Sequence, residues 1–334
     1  MVSLSFGRKV QLSLLYNNQD ISAYFAPYLI SFSYTDNSSA KADDLQITLE
    51  DRKDLWKSGW LPEKGATLMG TIIVSDWHGK GKQALPLGTF EIDEIECSGP
   101  PEVVTIKAVS IPVASSLRGE AKNRAWEQTK LSVIAKDIAG AAGVTLLYET
   151  DDDPSYDRIE QTEESDLAFL LKLCEDAGLS LKVTGTEIVI FDDSKYEQME
   201  PVMTIVKGSS AILSYAISSS TRDVYSAARV IYQDISYTFE APNKPEGNTL
   251  VINERVSSIA EAERLAKKRL RQKNKEEVKV SLTLLGNIAL VAGVTVNLKG
   301  WGAFDGKYFI EQATHEGGNG YRTSLELYRV LEGY

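Results

Sequence analysis

Hydrophobic and polar residues alternate along most of the chain between Val10 and Ile111. The segments LQITLE (Leu45 to Glu50), TLMGTIIVS (Thr67 to Ser75), GTFEIDEIEC (Gly88 to Cys97) and EVVTIKAVS (Glu102 to Ser110) alternate or run apolar. Leu61-Pro62, Gly79 to Gly81, Pro86 and Ser98-Gly99-Pro100-Pro101 punctuate them. Alternation sends successive side chains to opposite faces of a strand, and Gly and Pro supply the turns. Residues 1–111 are therefore expected to form an antiparallel β domain.

The period changes after Pro112. In KLSVIAKDIAGAAG the residues Leu131, Ile134, Ala135, Ile138, Ala139 and Ala142 share one helical face, with Thr129 placed to cap and Gly143 to stop the helix. A strand, VTLLYE, follows. Ser165 then caps a second helix with the face Leu167, Leu170, Leu171 and Cys174, ended by Gly178, and LSLKV, TGT and EIVIF read as a hairpin. This is the pattern of an α/β insert, taken as residues 112–200. Between its helices, ETDDDPSYDRIEQTEES is acidic and reads as a solvated loop.

Strand patterns return beyond Pro201 in MTIVKG, AILSYAIS and YSAARVIYQDISYTF. A helix follows at AEAERLAKKRLRQK, opened by Ser258 and Glu261 at capping-box spacing, with Ile259, Ala262, Ala266 and Leu270 on one stripe. The expectation is a second β domain over 201–334 with a helical excursion at about 240–277.

The two β domains share an order of signals. LQITLE, LPEKGATL, GTFEIDE and VVTIKAV in the first correspond to VSLTLL, LVAGVTV, GKYFIEQ and TSLELYRV in the second. Gly65 aligns with Gly293 and Gly88 with Gly306, while the spacing between these glycines is 23 residues against 13. Repeats of one fold diverge in their loops, so the pattern reads as an internal duplication.

Composition narrows the function. The chain has 334 residues, 43% of them hydrophobic, and no apolar run near the ~20 residues that span a bilayer. The N-terminus lacks the apolar stretch and cleavage site of a secretion signal. Two cysteines, Cys97 and Cys174, make neither a disulfide framework nor a zinc site. A net charge of −11 opposes phosphate neutralisation, so specific nucleic-acid binding is not expected and a protein partner is.

The candidate chemistry is sparse. G-x-S-x-G, H-E-x-x-H, C-x-x-C and the P-loop signature are absent, and Tyr156 stands where a calcium loop needs glycine. The two histidines lie in the turns SDWHGKGK (His78) and ATHEGGNG (His315). In FDGKYFIEQATHEGG, His315 stands near Asp305, Glu311 and Glu316, the residue types of an acid/base site. The first repeat carries IECSGPP at that place, so His315 is read as a turn residue at an exposed tip. Asp305-Gly306 is the turn before the strand, with Tyr308 and Ile310 on its inward face. The basic run Arg264, Lys267, Lys268, Arg269, Arg271, Lys273 and Lys275 is read as a solvated helix face, next as a contact for an acidic neighbouring subunit, and last as a contact for nucleic acid.

The closing run LVAGVTVNLKGWGAFDGKYFIEQATHEGGNGYRTSLELYRV resembles the end of baseplate hub proteins of contractile phage tails, the late control gene D family, related to the hub part of type VI secretion spike proteins. The matching residues are Asp305, Gly306, Tyr308, Ile310, His315, Thr323, Leu325, Glu326, Leu327 and Arg329. LPLGTFEIDEIECSGPPEVVTIKAVS, TKLSVIAKDIAGAAGV and SDLAFLLKLCEDAGLSLKV extend the likeness over nearly the whole chain. The resemblance implies an α+β, mainly β fold, with two tandem tube-type antiparallel β-barrel domains and α/β insert domains. It implies a homotrimer that adapts a three-fold spike to a six-fold tail tube and nucleates tube assembly.

The implied partners are a separate central spike protein, because the chain stops at Tyr334, the tail tube protein and other baseplate subunits. No membrane anchor, cofactor, metal site or catalytic residue is expected. The implied location is the bacterial cytoplasm during assembly, then the baseplate of a released virion or phage-tail-like bacteriocin. The alternatives are a tail-associated cell-wall hydrolase using His315, or a carbohydrate-binding adhesin.

Overall fold

The computed structural model describes residues 7–79, 81–110, 117, 119–222, 224–242 and 247–334, with the His78 side chain outside the description. The first part of the chain holds β1 (Lys9–Tyr16), β2 (Gln19–Asp20), the single turn α1 (Ser22–Phe25), β3 (Leu29–Asn37), β4 (Asp44–Glu50), β5 (Thr67–Ser75), β6 (Lys82–Ser98) and β7 (Val103–Val109). The middle holds β8 (Lys122–Lys130), α2 (Leu131–Ala142), β9 (Thr145–Glu149), β10 (Ser155–Glu164), α3 (Asp166–Ala177), β11 (Ser180–Val183), β12 (Glu187–Phe191) and α4 (Asp193–Glu197). The rest holds β13 (Thr204–Val206), β14 (Ile212–Ser219), β15 (Tyr225–Tyr232), β16 (Ile235–Glu240), β17 (Asn248–Ile252), α5 (Ile259–Asn274), β18 (Val278–Leu285), β19 (Thr295–Lys299), β20 (Gly306–Gly318) and β21 (Gly320–Arg329). The fold is mainly β.

One sheet of thirteen strands runs through both ends of the chain in the order β14-β18-β21-β20-β3-β4-β7-β6-β5-β1-β2, with β19 and β13 branching from β20. Its two halves match down to their irregularities. Ile92 in β6 and Ile310 in β20 both precede a register shift against the next strand, and so do Leu29 in β3 and Ile212 in β14. The amide of Gly65 donates to Ile92 O at 2.8 Å and that of Gly293 to Ile310 O at 2.9 Å. Both glycines sit at positive φ, 81° and 85°. The duplication read from the sequence is thus present as matched hydrogen bonds and bulges. One strand breaks the match, since β1 runs antiparallel to β5 whereas β13 runs parallel to β19.

Each half buries its alternate apolar positions on one face: Leu45, Ile47 and Leu49 of β4 in the first, Val280, Leu282 and Leu284 of β18 in the second. The other face is rich in hydroxyl and amide groups, among them Ser33, Gln46, Thr48, Ser281, Thr283 and Ser324. Thr283 and Ser324 pair directly across strands at 3.2 Å.

Residues of the middle segment form a separate core in which Leu131, Ile134, Ile138, Phe169, Leu170 and Leu173 of α2 and α3 cover the sheet β11-β12-β9. Two details depart from the sequence reading. Thr129 does not cap α2, because β8 continues to Lys130; Asp153 instead accepts from the Ser132 amide at 2.9 Å. The acidic stretch is not simply a solvated loop, for β10 pairs with β8 and turns Tyr156 and Ile159 onto the core while its acidic side chains face out.

The excursion is larger than expected. β15, β16 and β17 form their own three-stranded sheet, covered by Ala262, Ala266 and Leu270 of α5, so the unit begins at Tyr225 instead of about 240. The alternation of β15 and β16 reads like that of the neighbouring β14, and only their pairing in a separate sheet marks the start of the unit. Ile259, expected on the buried stripe, is 61% exposed because it occupies the first helical position. Ser258 caps α5, accepting from the Glu261 amide at 3.2 Å. The sequence boundary at 111/112 lies outside the described residues.

Candidate functional site: the junction of the repeats and the free sheet edges

The two halves meet where β20 of the second pairs antiparallel with β3 of the first, over Gln312↔Asn37 to Gly317↔Phe32. His315 lies opposite Tyr34 in this ladder and is fully buried, not at an exposed tip. The turn of this hairpin is at Asn319, four residues later, so His315 still belongs to a strand with neighbours on both sides.

The histidine is hydrogen-bonded on both ring nitrogens. Nε2 lies 3.0 Å from the Leu290 carbonyl, which can only accept, so Nε2 carries the proton. Nδ1 then accepts from the Tyr321 hydroxyl at 2.8 Å, with Thr323 Oγ1 at 3.3 Å. The imidazole is near-parallel to the rings of Tyr34 and Tyr321, at centroid distances of 6.2 and 6.0 Å. Burial lowers its pKa to about 4, opposed by its hydrogen bond to Leu290 O and by the charge of Asp36. His315 is therefore neutral at neutral pH and has a structural setting. Tyr321 extends from the second half into the core of the first, edge-on to Trp77 at 5.3 Å.

The carboxylates near His315 in sequence point elsewhere. Asp305 accepts from the Trp301 amide at 2.6 Å, and hydrogen bonds from backbone amides, Gly300 first, lower its pKa. Glu311 pairs with Lys279 at 2.8 Å, and Glu316 lies across from Arg322 in the hairpin. Among the described residues no group of three or more His, Cys, Asp and Glu side chains could hold a metal ion. Cys174 is buried and Cys97 exposed.

A second cluster that sequence reading missed ties the middle segment to this junction. Lys182 on β11 reaches Asp36 at 2.8 Å, Asp43 at 3.2 Å and the Asn37 carbonyl at 2.8 Å. Asp36 also accepts from the Ala292 amide at 2.9 Å. Burial pulls the Lys182 ammonium down, but the charges of Asp36 and Asp43 outweigh it and leave its pKa raised. Burial lifts Asp43 to about 6 despite Lys182. These residues lie about 140 positions apart, and no spacing rule links them.

Much of the basic run on α5 is engaged within the chain. Lys268 pairs with Asp152 and, at 3.1 Å, with Asp192; Arg269 reaches Asp176 at 3.2 Å; Arg271 pairs with the buried Glu197. The acidic surplus of the middle segment is the complement of this helix. Tyr328 of β21 donates to Glu197 at 2.7 Å, tying the same cluster to the large sheet.

Among the described residues β13 and most of β1 are edge strands, and two further stretches lack a partner on one side: β14 has β18 only, and beyond Glu91 the strand β6 pairs with β7 only. By the repeat, these stretches correspond to β3 and to the part of β20 that pairs with it.

The profile of the family described as phage tail baseplate hub (GPD) matches residues 108–321. The probable baseplate hub protein of Escherichia phage 186 is 30% identical over 178 residues, 53% of this chain and 43% of that protein. That of Escherichia phage P2 is 33% identical over 181 residues, 51% of this chain and 42% of that protein. The match spans less than half the length of these relatives. The fold superposes on a tail protein from Neisseria meningitidis MC58 with TM-score 0.70 at 16% identity, covering 96% of each chain. It superposes equally, at 0.70, on the 43 kDa tail protein of prophage MuSo2 from Shewanella oneidensis, at 14% identity over 96% of this chain and 98% of that one. The E. coli c3393 protein, a component of the type VI secretion system, gives 0.58 at 13% identity over 98% and 78%. At these identities the likeness is one of fold.

Proposed function

The chain belongs to the phage tail baseplate hub (GPD) family, and from that premise we propose that it is a structural hub of a contractile tail, without enzymatic activity, located in the baseplate. The observation that carries this reading is the duplicated half-sheet, in which the internal β3–β20 junction has unpaired equivalents at β14 and at the second part of β6. A head-to-tail contact that repeats the internal one generates a closed ring when its rotation closes. Three copies would place six similar half-sheets around one axis, which fits a three-fold spike on one side and a six-fold tube on the other. Each half-sheet then acts as a tube-type barrel segment, with 112–200 as the insert and the 225–274 unit as an excursion of the second segment. Separate spike, tube and baseplate proteins would be the neighbours.

In such a ring the hydroxyl-rich face suits the channel wall. Its Ser, Thr and Gln side chains hydrogen-bond water, and its cations have acidic neighbours, Lys107 pairing with Glu94 and Glu96 and Arg322 lying opposite Glu316, which limits their hold on a passing polyanion. The burial of His315, whose ring nitrogens bond the Tyr321 hydroxyl and the Leu290 carbonyl and no carboxylate, weighs against the hydrolase alternative.

The test is the mass and symmetry of the purified chain, by light scattering and averaged images. A trimer with a pseudo-six-fold outline is expected, and a chain that stays monomeric at tens of micromolar would refute the ring.

A further inference from the structure

We infer that β14 of one copy pairs antiparallel with the second half of β6 of another copy, in a register that lays Tyr215 over Gly99. The inference rests on the ring reading above and names the surfaces and residues that close it. The occupant of each free edge is a second copy of this chain.

The internal junction supplies the template. There, Gly317 lies opposite Phe32, and a Cβ on the glycine would come within 2.2 Å of Phe32 Cε1. The aromatic ring covers a bare backbone, and this pair needs glycine at that place. The strand pairings with β4, β7, β18 and β21 make Tyr215 the counterpart of Phe32, Ile217 of Tyr34, Cys97 of His315 and Gly99 of Gly317. The two edges therefore carry an equivalent aromatic–glycine pair, split between the two ends of the chain; in the single chain the Glu102 carboxylate lies against Gly99, 2.6 Å from a Cβ placed there, and it turns aside when Tyr215 takes that place. Phe32, whose glycine is present, is 4% exposed; Tyr215, whose glycine would come from another copy, is 46% exposed. Leu213 beside it is 51% exposed.

The character of the β14 edge supports the same conclusion independently. A strand that remains at an edge is normally protected by charge, proline or shortness. The eight residues of β14, ILSYAISS, contain no charged residue and no proline. The facing stretch of β6 carries Glu94 and Glu96, and in the inferred register they meet Ser220 and Ser218 and no carboxylate. Cys97 then stands opposite Ile217.

Replacing Ile217 with cysteine turns that pair into a probe, since Cys97 is exposed and Cys174 buried. Full-length chains carrying Ile217→Cys are oxidised and separated without reductant, next to chains with cysteine placed instead at 215, 216, 218 or 219. A ladder up to the full ring is expected for 217, with at least tenfold lower yield at 216 and 218, whose side chains face the other way. Unsubstituted chains can link only Cys97 to Cys97 and stop at dimers. In parallel, Tyr215→Glu should weaken assembly at least tenfold by light scattering while the circular dichroism of the chain is unchanged. An oligomer that links best at 215 or 219, or at none of these positions, overturns this pairing and leaves the ring reading intact. A monomeric unsubstituted chain overturns both.

Discussion

The ring of Phe32 lies across Gly317, so closely that a Cβ there would sit 2.2 Å from Phe32 Cε1. This contact joins the two halves of one chain, and the first prediction tests it. Gly317→Ala should destabilise the chain by about 2 kcal/mol, as overpacking in a filled core does. The measurement is the midpoint of urea unfolding, and a change below a few tenths of a kcal/mol would show that Phe32 moves aside freely.

His315 makes folding pH-dependent in a stated direction. Its folded pKa, about 4, lies below the ordinary 6.5, so the unfolded chain binds the proton first as pH falls. Its stabilising contribution is complete above pH 6.5 and is lost between 6.5 and about 4. Between pH 7 and 4.5 the loss attributable to this residue is roughly 2 kcal/mol. Because Asp43 titrates in the same window, the comparison is with His315→Gln, whose melting temperature should fall less over this range. Parallel pH profiles would contradict the assignment.

Lys182→Met removes the cation between Asp36 and Asp43 and leaves two buried carboxylates together. A cost of about 3 kcal/mol at pH 8 is expected, the scale for breaking a buried ion pair. Asp43, already raised to about 6, would take up a proton in the folded variant, so part of the loss should return on acidification to pH 5. Thermal melts at the two pH values decide it, and an equal deficit at both would refute the mechanism.

Arg271→Met strands the buried Glu197 carboxylate, with Tyr328 as its remaining partner. The expected cost is again about 3 kcal/mol, and adding Glu197→Met should restore most of it, since paired apolar replacements are often neutral. A double variant no better than the single one would place the loss in packing and not in charge.

Gly65 and Gly293 occupy equivalent positions at φ 81° and 85°, and a Cβ at either would meet no heavy atom within 4 Å. Alanine at each should cost about 1 kcal/mol from backbone conformation alone. Closely similar values in denaturant unfolding are the outcome the duplication requires, and values that differ by more than twofold would speak against equivalent roles.

How far the fold could be read from the residues differs from place to place. LQITLE and VSLTLL became β4 and β18 because alternation alone sends their leucines, isoleucine and valine inward. Gly143 and Gly178 ended their helices in left-handed turns that they adopt without a Cβ penalty. The acidic stretch from 151 to 165 misled because its charges outnumber Tyr156 and Ile159, the residues that seat it. The tip assigned to His315 was off by four residues, and in a strand that decides between solvent and core.

The amino-acid sequence by itself determined most strands of the two half-sheets, the three long helices, the caps at Ser165 and Ser258, and the duplication. All of these follow from periodicity, turn chemistry and spacing along the backbone. Only the tertiary structure decided that His315 is a buried neutral link, that Lys182 ties three segments together, and that α5 is the cationic half of an internal interface. It alone showed which sheet edges stay open. Those properties depend on groups tens to hundreds of residues apart, whose meeting is set by how whole sheets and helices pack. A local pattern records which face a residue occupies, not what is brought to that face.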